Sequence, residues 1–285
     1  MASHKVGIIG IGLIGGSIAL GLRKTGWASE IVGIDTNTDH QKKALSLRLV
    51  DRIATWQEAI DQVDVFVCAI PVDLLVALIP SVLDALKPGQ VIIEVGSTKT
   101  PVFEALQNHP KRAQFVSTHP MAGTEFSGPE AAAQGLFVGK RGVICDKELS
   151  DPAAVSLIED LYRRGLKMHL IYMGSIEHDV HTAYISHISH ICSFALANTV
   201  LEKEKDESRI FELASTGFDS TVRLAKSSPE TWSQIFHQNQ ENVIDVLDEY
   251  INTLLKYKGL MLSGSYEKLK EELGKANDIG RILKG

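Results

Sequence analysis

Short apolar runs recur along the first part of the chain, at positions 6–9, 31–34, 65–69, 91–95, 115–117, 142–145 and 167–171. Most are near-continuous instead of alternating, the pattern of strands buried on both faces. Between them lie stretches of helical period at 17–24, 39–47, 56–61, 74–86, 102–108 and 152–163. Strand–helix–strand order with short connections predicts an α/β fold built on a Rossmann-type, doubly wound, mostly parallel sheet. Pro71, Pro101 and Pro152 fall at or near element starts, where a missing N–H costs little.

After Ile171 the pattern changes. Ile185, Ile188, Cys192, Ala195 and Thr199 recur at three- and four-residue steps. A second series runs from Trp232 and Ile235 through Val243, Val246, Leu247, Ile251, Leu254 and Leu255. Both are helical stripes. They place a boundary near Met173, between an α/β part at 1–172 and an all-helical C-terminal part at 173–285. The helical part is short for an independent core. Its stripes are expected to meet a second copy of the chain in a homodimer, with packing inside a monomer as the alternative.

Composition narrows the classes. The chain has 285 residues, 44% hydrophobic and 22% charged, with a formal charge of -6. No basic stripe offers itself to phosphates, so no nucleic-acid partner is expected. A small anionic substrate needs only one or two local cations and stays open. No apolar stretch approaches a membrane span, and the first strand starts close to Met1, so no membrane partner and a cytoplasmic location are expected. Cys68, Cys145 and Cys192 lie far apart in apolar runs and read as reduced core thiols.

The first strand breaks into Gly10-x-Gly12-x-x-Gly15. Gly10 permits the tight turn, Gly12 lets the backbone approach a pyrophosphate, and Gly15 lets the helix pack close to the sheet. N–H groups at the helix start, at Leu13 and Ile14, would hold the negative charge. The second strand ends at Asp35, twenty residues past Gly15, where a carboxylate accepts from ribose hydroxyls. No arginine stands beside it to welcome a 2′-phosphate, so NAD is expected over NADP. Pro71, following the 65–69 run, is assigned to the same cleft.

Two loops at the carboxyl ends of strands could carry chemistry, since ligands bind there in open α/β sheets. EVGSTKT contains Ser97 and Lys99, and STHPMAGTE contains His119, Thr124 and Glu125. His119 could act as a general base, with Ser97 orienting it, or could equally satisfy a neighbouring loop. An unperturbed imidazole would give an activity rising with pH through a pKa of roughly 6 to 7. The helical part adds EHDVHTAYISHISH, in which His187 and His190 share a helix face. No metal motif is present, and none is expected. Arg223 could clamp a substrate carboxylate or sit in a salt bridge, and Trp232 reads as a packing residue.

Together these motifs resemble the prephenate dehydrogenase family, which includes arogenate dehydrogenases of tyrosine biosynthesis. The resemblance runs from GIGLIGGS to the helices ending near Tyr257 and is carried by VGSTK, HPMAGTEFSG, SHISH and TVRLAKSSPETW. It implies a nicotinamide dinucleotide-binding domain followed by a helical substrate and dimerisation domain. It also implies NAD-dependent oxidative decarboxylation of prephenate to 4-hydroxyphenylpyruvate. By the same resemblance His119 is the catalytic histidine and Ser97 its orienting serine. Arg223 binds a carboxylate, and His190 lines the substrate cleft, with Thr124 beside them. The family's usual SHLPH reads SHISH here, with Ser189 in place of proline. Two other readings share parts of the pattern. A β-hydroxyacid dehydrogenase would put a catalytic lysine in the helical part, and a non-catalytic nicotinamide-binding protein would bind cofactor without turnover.

Overall fold

The near-continuous apolar runs become the inner strands of one sheet. A computed structural model describes residues 4–205 and 209–282. Among these, eight strands line up in the order β3-β2-β1-β4-β5-β6-β7-β8. In chain order the first half runs β1 (His4–Ile9), α1 (Leu13–Thr25), β2 (Ala28–Ile34), α2 (Thr38–Ser46), β3 (Arg52–Ile53), α3 (Trp56–Ala59) and β4 (Val65–Cys68). It continues with α4 (Val72–Ala85), β5 (Val91–Glu94), α5 (Thr100–Leu106), β6 (Phe115–Pro120), β7 (Arg141–Cys145), α6 (Pro152–Asp160) and β8 (His169–Met173). Every neighbouring pair is parallel except β6–β7, so the sheet is mostly parallel and doubly wound. Its two faces bury separate apolar layers. Ile8, Val65, Val67 and Ile93 point to one, and Val32, Phe66, Cys68 and Ile92 to the other. Burial pushes the Cys68 and Cys145 thiols up, and neither is in a disulfide.

Beyond β8 the chain is helical: α7 (Ser175–Thr182), α8 (Ile188–Glu204), α9 (Thr216–Val222), α10 (Pro229–Gln238), α11 (Gln240–Leu262), α12 (Tyr266–Ala276) and α13 (Ile279–Ile282). A π turn, Ala183–His187, joins α7 to α8. The replaced proline at Ser189 leaves α8 helical through this point, with the Ser189 hydroxyl turned back to the Ile185 carbonyl. The chain divides into two compact units, Met1–Asn239 and Gln240–Gly285. In the first, Ile235 of α10 lies in the same apolar layer as Leu75 and Ile79 of α4. In the second, Lys256 of α11 pairs with Glu272 of α12. No helix among the described residues is long and apolar enough to cross a membrane.

Three local expectations shift. Helix α1 starts at Leu13, four residues ahead of its apolar period, because the glycine motif itself forms the first turn. Strand β8 starts at His169, because Lys167 is in the left-handed region at φ 60 and breaks the extended run. Strand β6 runs on to Pro120, so His119 is a strand residue paired opposite Val143.

Candidate active site

The β1–α1 turn is shaped for a close approach. Gly10 has φ +88, and a Cβ there would lie 2.5 Å from the Ala69 carbonyl oxygen. A Cβ on Gly15 would sit 2.1 Å from the Gly10 oxygen, so only glycine brings helix and turn this close. A Cβ on Gly12 would meet nothing within 4 Å, which leaves that backbone open to a ligand. Asp35, just past β2, accepts from the Ile11 N–H at 2.9 Å and the Asn37 N–H at 2.8 Å. Gly10, Ile11, Gly12, Asp35, Asn37 and Pro71, which precedes α4, face one cavity of about 1190 Å³ whose wall also includes Trp56, Leu74 and Leu78; Leu13, Ile14 and Gly15 do not line it. The cradle fits a dinucleotide: main-chain N–H groups of Leu13 and Ile14 open the helix, and a carboxylate stands at the second strand. His119 is not among the residues lining this cavity.

His119 belongs to a second, polar cluster. Its Nδ1 lies 2.8 Å from His178 Nε2, and His178 Nδ1 lies 2.8 Å from an Asp179 oxygen. Asp179 is fully buried and accepts from the main-chain N–H of Lys99 at 2.9 Å and of Thr100 at 2.8 Å. An ionised carboxylate only accepts, so His178 Nδ1 carries a proton and its Nε2 a lone pair. His119 Nδ1 therefore donates to His178, and the lone pair of His119 is left on Nε2. Burial comes first, with His178, Lys99 and His187 adding to it, in holding the His119 pKa well below its ordinary value. Burial also lowers His178, against the pull of Asp179. Burial opposes the Asp179 charge, yet the His178 bond and the Thr100 N–H outweigh it and keep the carboxylate pKa low. The imidazole of His119 is neutral well below pH 6.5. The ordinary range expected from the sequence is thus corrected downward, because the ring is desolvated among cationic and imidazole neighbours.

The other histidines have different surroundings. His187 is buried, accepts from Asn239 Nδ2 at 3.1 Å, and is pushed by burial to about 4. His190 Nδ1 donates to the Ser186 carbonyl at 3.0 Å, and its ring stacks on Trp232 with centroids 3.4 Å apart. Burial lowers its pKa, with Arg223 as a cationic neighbour. Arg223 reaches Glu125 of the HPMAGTE loop at 3.3 Å and stays about half exposed. Thr124 lies in the same loop, its hydroxyl accepting from Phe126 N–H at 3.3 Å. Ser97 is half-buried in the loop between Glu94 and Lys99. Thr98, next to it, donates to Gln238 at 2.6 Å. Trp232 packs on the apolar layer as expected and stacks on His190 as well.

Sequence reasoning named His119 and passed over His178 and Asp179 as its partners. The signal was the adjacent His–Asp pair at the head of the histidine-rich segment. It could not be tied to His119 without knowing that α7 lies against the end of β6. Among the described residues no group of three or more His, Cys, Asp or Glu side chains converges to hold a metal.

A dinucleotide cradle and a neutral histidine tied to an Asp–His pair, on one α/β scaffold, define an oxidoreductase of the dehydrogenase class. Residues 18–172 match the prephenate dehydrogenase nucleotide-binding domain, and residues 175–275 the prephenate dehydrogenase dimerization domain. The chain belongs to the prephenate dehydrogenase family. It is 31% identical over 274 residues to prephenate dehydrogenase of Bacillus subtilis, covering 95% of this chain and 74% of that protein. The fold is similar to prephenate dehydrogenase from Aquifex aeolicus solved with hydroxyphenyl propionate and NAD+, at TM-score 0.85 and 27% identity, over 100% of this chain and 99% of that one. It is also similar to Synechocystis arogenate dehydrogenase, at TM-score 0.77 and 26% identity, over 98% and 99% of the two chains.

Proposed function

We propose that the protein catalyses NAD-dependent oxidative decarboxylation of prephenate to 4-hydroxyphenylpyruvate, a step of tyrosine biosynthesis. The observation that carries this is the Asp179–His178–His119 chain, which leaves a lone pair on His119 Nε2. Residues 1–172 are assigned to the cofactor and 173–285 to substrate and to dimerisation. Similarity to the NAD-bound Aquifex protein supports NAD in the Gly10–Gly12–Gly15 cradle, and the Asp35 carboxylate repels a 2′-phosphate.

When bound, NAD supplies the acceptor for the hydride leaving C4 of the ring. His119 Nε2 takes the proton of the 4-hydroxyl, and the positive charge that forms is shared through His178 toward the Asp179 carboxylate. Ser97 orients the hydroxyl and the histidine. Arg223 exchanges its weak, half-exposed pairing with Glu125 for a bidentate hold on a substrate carboxylate. His190, held flat on Trp232, bounds the cleft from α8. Loss of carbon dioxide restores ring aromaticity and makes the reaction essentially irreversible. The protein's contribution is to position C4 and to accept one proton.

Arogenate is the second reading, supported by the similarity to the Synechocystis enzyme. The two substrates differ only in a side-chain keto or amino group. Reduction of NAD is to be followed with prephenate, arogenate and a panel of hydroxy acids. Turnover with prephenate at a kcat/KM above that for arogenate is expected. Turnover confined to hydroxy acids, or cofactor binding with no turnover, would reject the assignment.

A further inference from the structure

Glu94 and Lys99 form an ion pair with no exposure to solvent, directly behind the site, that the mechanism above leaves unused. The pair closes the loop that carries Ser97. Lys99 Nζ donates to the Glu94 carboxylate and to the Thr118 carbonyl at 2.7 Å, and Thr118 is the residue before His119. The main-chain N–H of the same lysine donates to Asp179. Glu94 is equally engaged. It accepts from the Ser117 hydroxyl at 2.8 Å and from the Gly96 N–H at 2.8 Å, while its carbonyl accepts from Thr118 Oγ1 at 2.6 Å. Tyr162 donates to Thr118 Oγ1 at 2.7 Å and seals the far side.

Lys99 thus touches both the strand of His119 and the carboxylate at the far end of the histidine chain, a second link between them beside His178 itself. A buried pair is a poor source of stability, since a well-packed apolar pair of similar volume is often as stable or more so. With every donor and acceptor engaged, it makes a fixed charge and a fixed register.

We propose that Lys99, clamped by Glu94, is a positioning residue of the reaction, setting the register between the Ser97 loop, His119 and Asp179. This rests on the proton-accepting role given to His119. Three charged or titratable groups bear electrostatically on that ring: His178 and His187 from the helical stretch after β8, and Lys99 from the loop after β5. Glu94 bears on His178. Of these, Lys99 supplies a permanent positive charge that opposes protonation of His119.

The test compares wild type with the neutral double variant Glu94→Gln/Lys99→Met, and with Glu94→Gln alone. The double variant should melt cooperatively and bind NAD as wild type does. Its kcat with prephenate should fall about 10- to 100-fold with little change in KM. The acidic limb of its kcat/KM profile should move to higher pH. Glu94→Gln, which keeps shape and leaves the cation uncompensated, should move that limb to lower pH and serves where the double variant does not fold. A folded variant with wild-type kcat and an unmoved limb overturns the proposal. Lost stability with an unmoved limb reduces the pair to a structural brace and overturns it too. The imidazole titration of His119, followed by nuclear magnetic resonance, reads the same displacements without substrate. Wild type inert toward prephenate and arogenate would sink the functional reading and with it the role in the reaction, while unmoved titrations in an active enzyme would sink this proposal alone.

Discussion

His119 is decided by what lies beneath and beside it more than by its own loop. Its place near the end of β6 was legible from the apolar run ending at Ser117 and the proline that follows. Its partners were not, because His178 is fifty-nine residues away in sequence. Nor was its titration. Desolvation and the neighbouring His178 and Lys99 favour the uncharged ring, so the group that must lose a proton does so well below pH 6.5. The sign follows directly. A depressed imidazole pKa keeps His119 competent at neutral pH, and activity falls only when acid reaches that lowered value. The expected kcat/KM profile is flat through pH 6.5, with its acidic limb below. His119→Asn cannot take up a proton and should bind NAD normally, while kcat falls about 10²- to 10⁴-fold. Wild-type turnover in that variant, with the limb lost instead in His187→Asn or His190→Asn, would move the role to another ring.

At the level of elements, the β1–α1 turn was readable to the residue, because a glycine motif reports sterics that need no tertiary knowledge. The structure separates the glycines by what they do. Gly15 is fixed by the Gly10 carbonyl, and Gly12 faces open space. Gly15→Ala should therefore destabilise the fold by about 1–3 kcal/mol through overpacking. Gly12→Ala should leave Tm unchanged and weaken NAD binding at least about tenfold, since its methyl group enters only the space a pyrophosphate would use. Thermal melts set beside NAD titrations check both, and equal losses of Tm in the two variants would contradict the division. The π turn at Ala183–His187 was not readable. Three- and four-residue apolar steps are the same on either side of it, and one extra residue in a turn leaves no mark on composition.

On the scale of the molecule, the order of strands and helices gave the architecture away. The antiparallel β6–β7 pairing did not show, since β7 is a buried apolar run like its parallel neighbours. The helical stripes read as an interface. In the single chain α11 leaves Leu254 48% and Leu255 58% exposed, an apolar face of the kind a partner covers. Sedimentation at micromolar and nanomolar protein should show a dimer throughout, and Leu254→Glu/Leu255→Glu should yield a monomer. A monomeric wild type with full activity would mean that the stripes serve some other purpose. The bond that ties the two ends of the site also divides what evolution can change. Asp179 is anchored by main-chain N–H groups at 99 and 100, and a main-chain donor survives every side-chain replacement except proline. At position 100 the Thr100 hydroxyl adds to this hold on the carboxylate, so a replacement there weakens the anchor without abolishing it. Position 179 has no such reserve, because its carboxylate takes the loop N–H groups and His178 together, so tolerance to mutation at the anchor is lopsided, graded at position 100 and narrow on the helix.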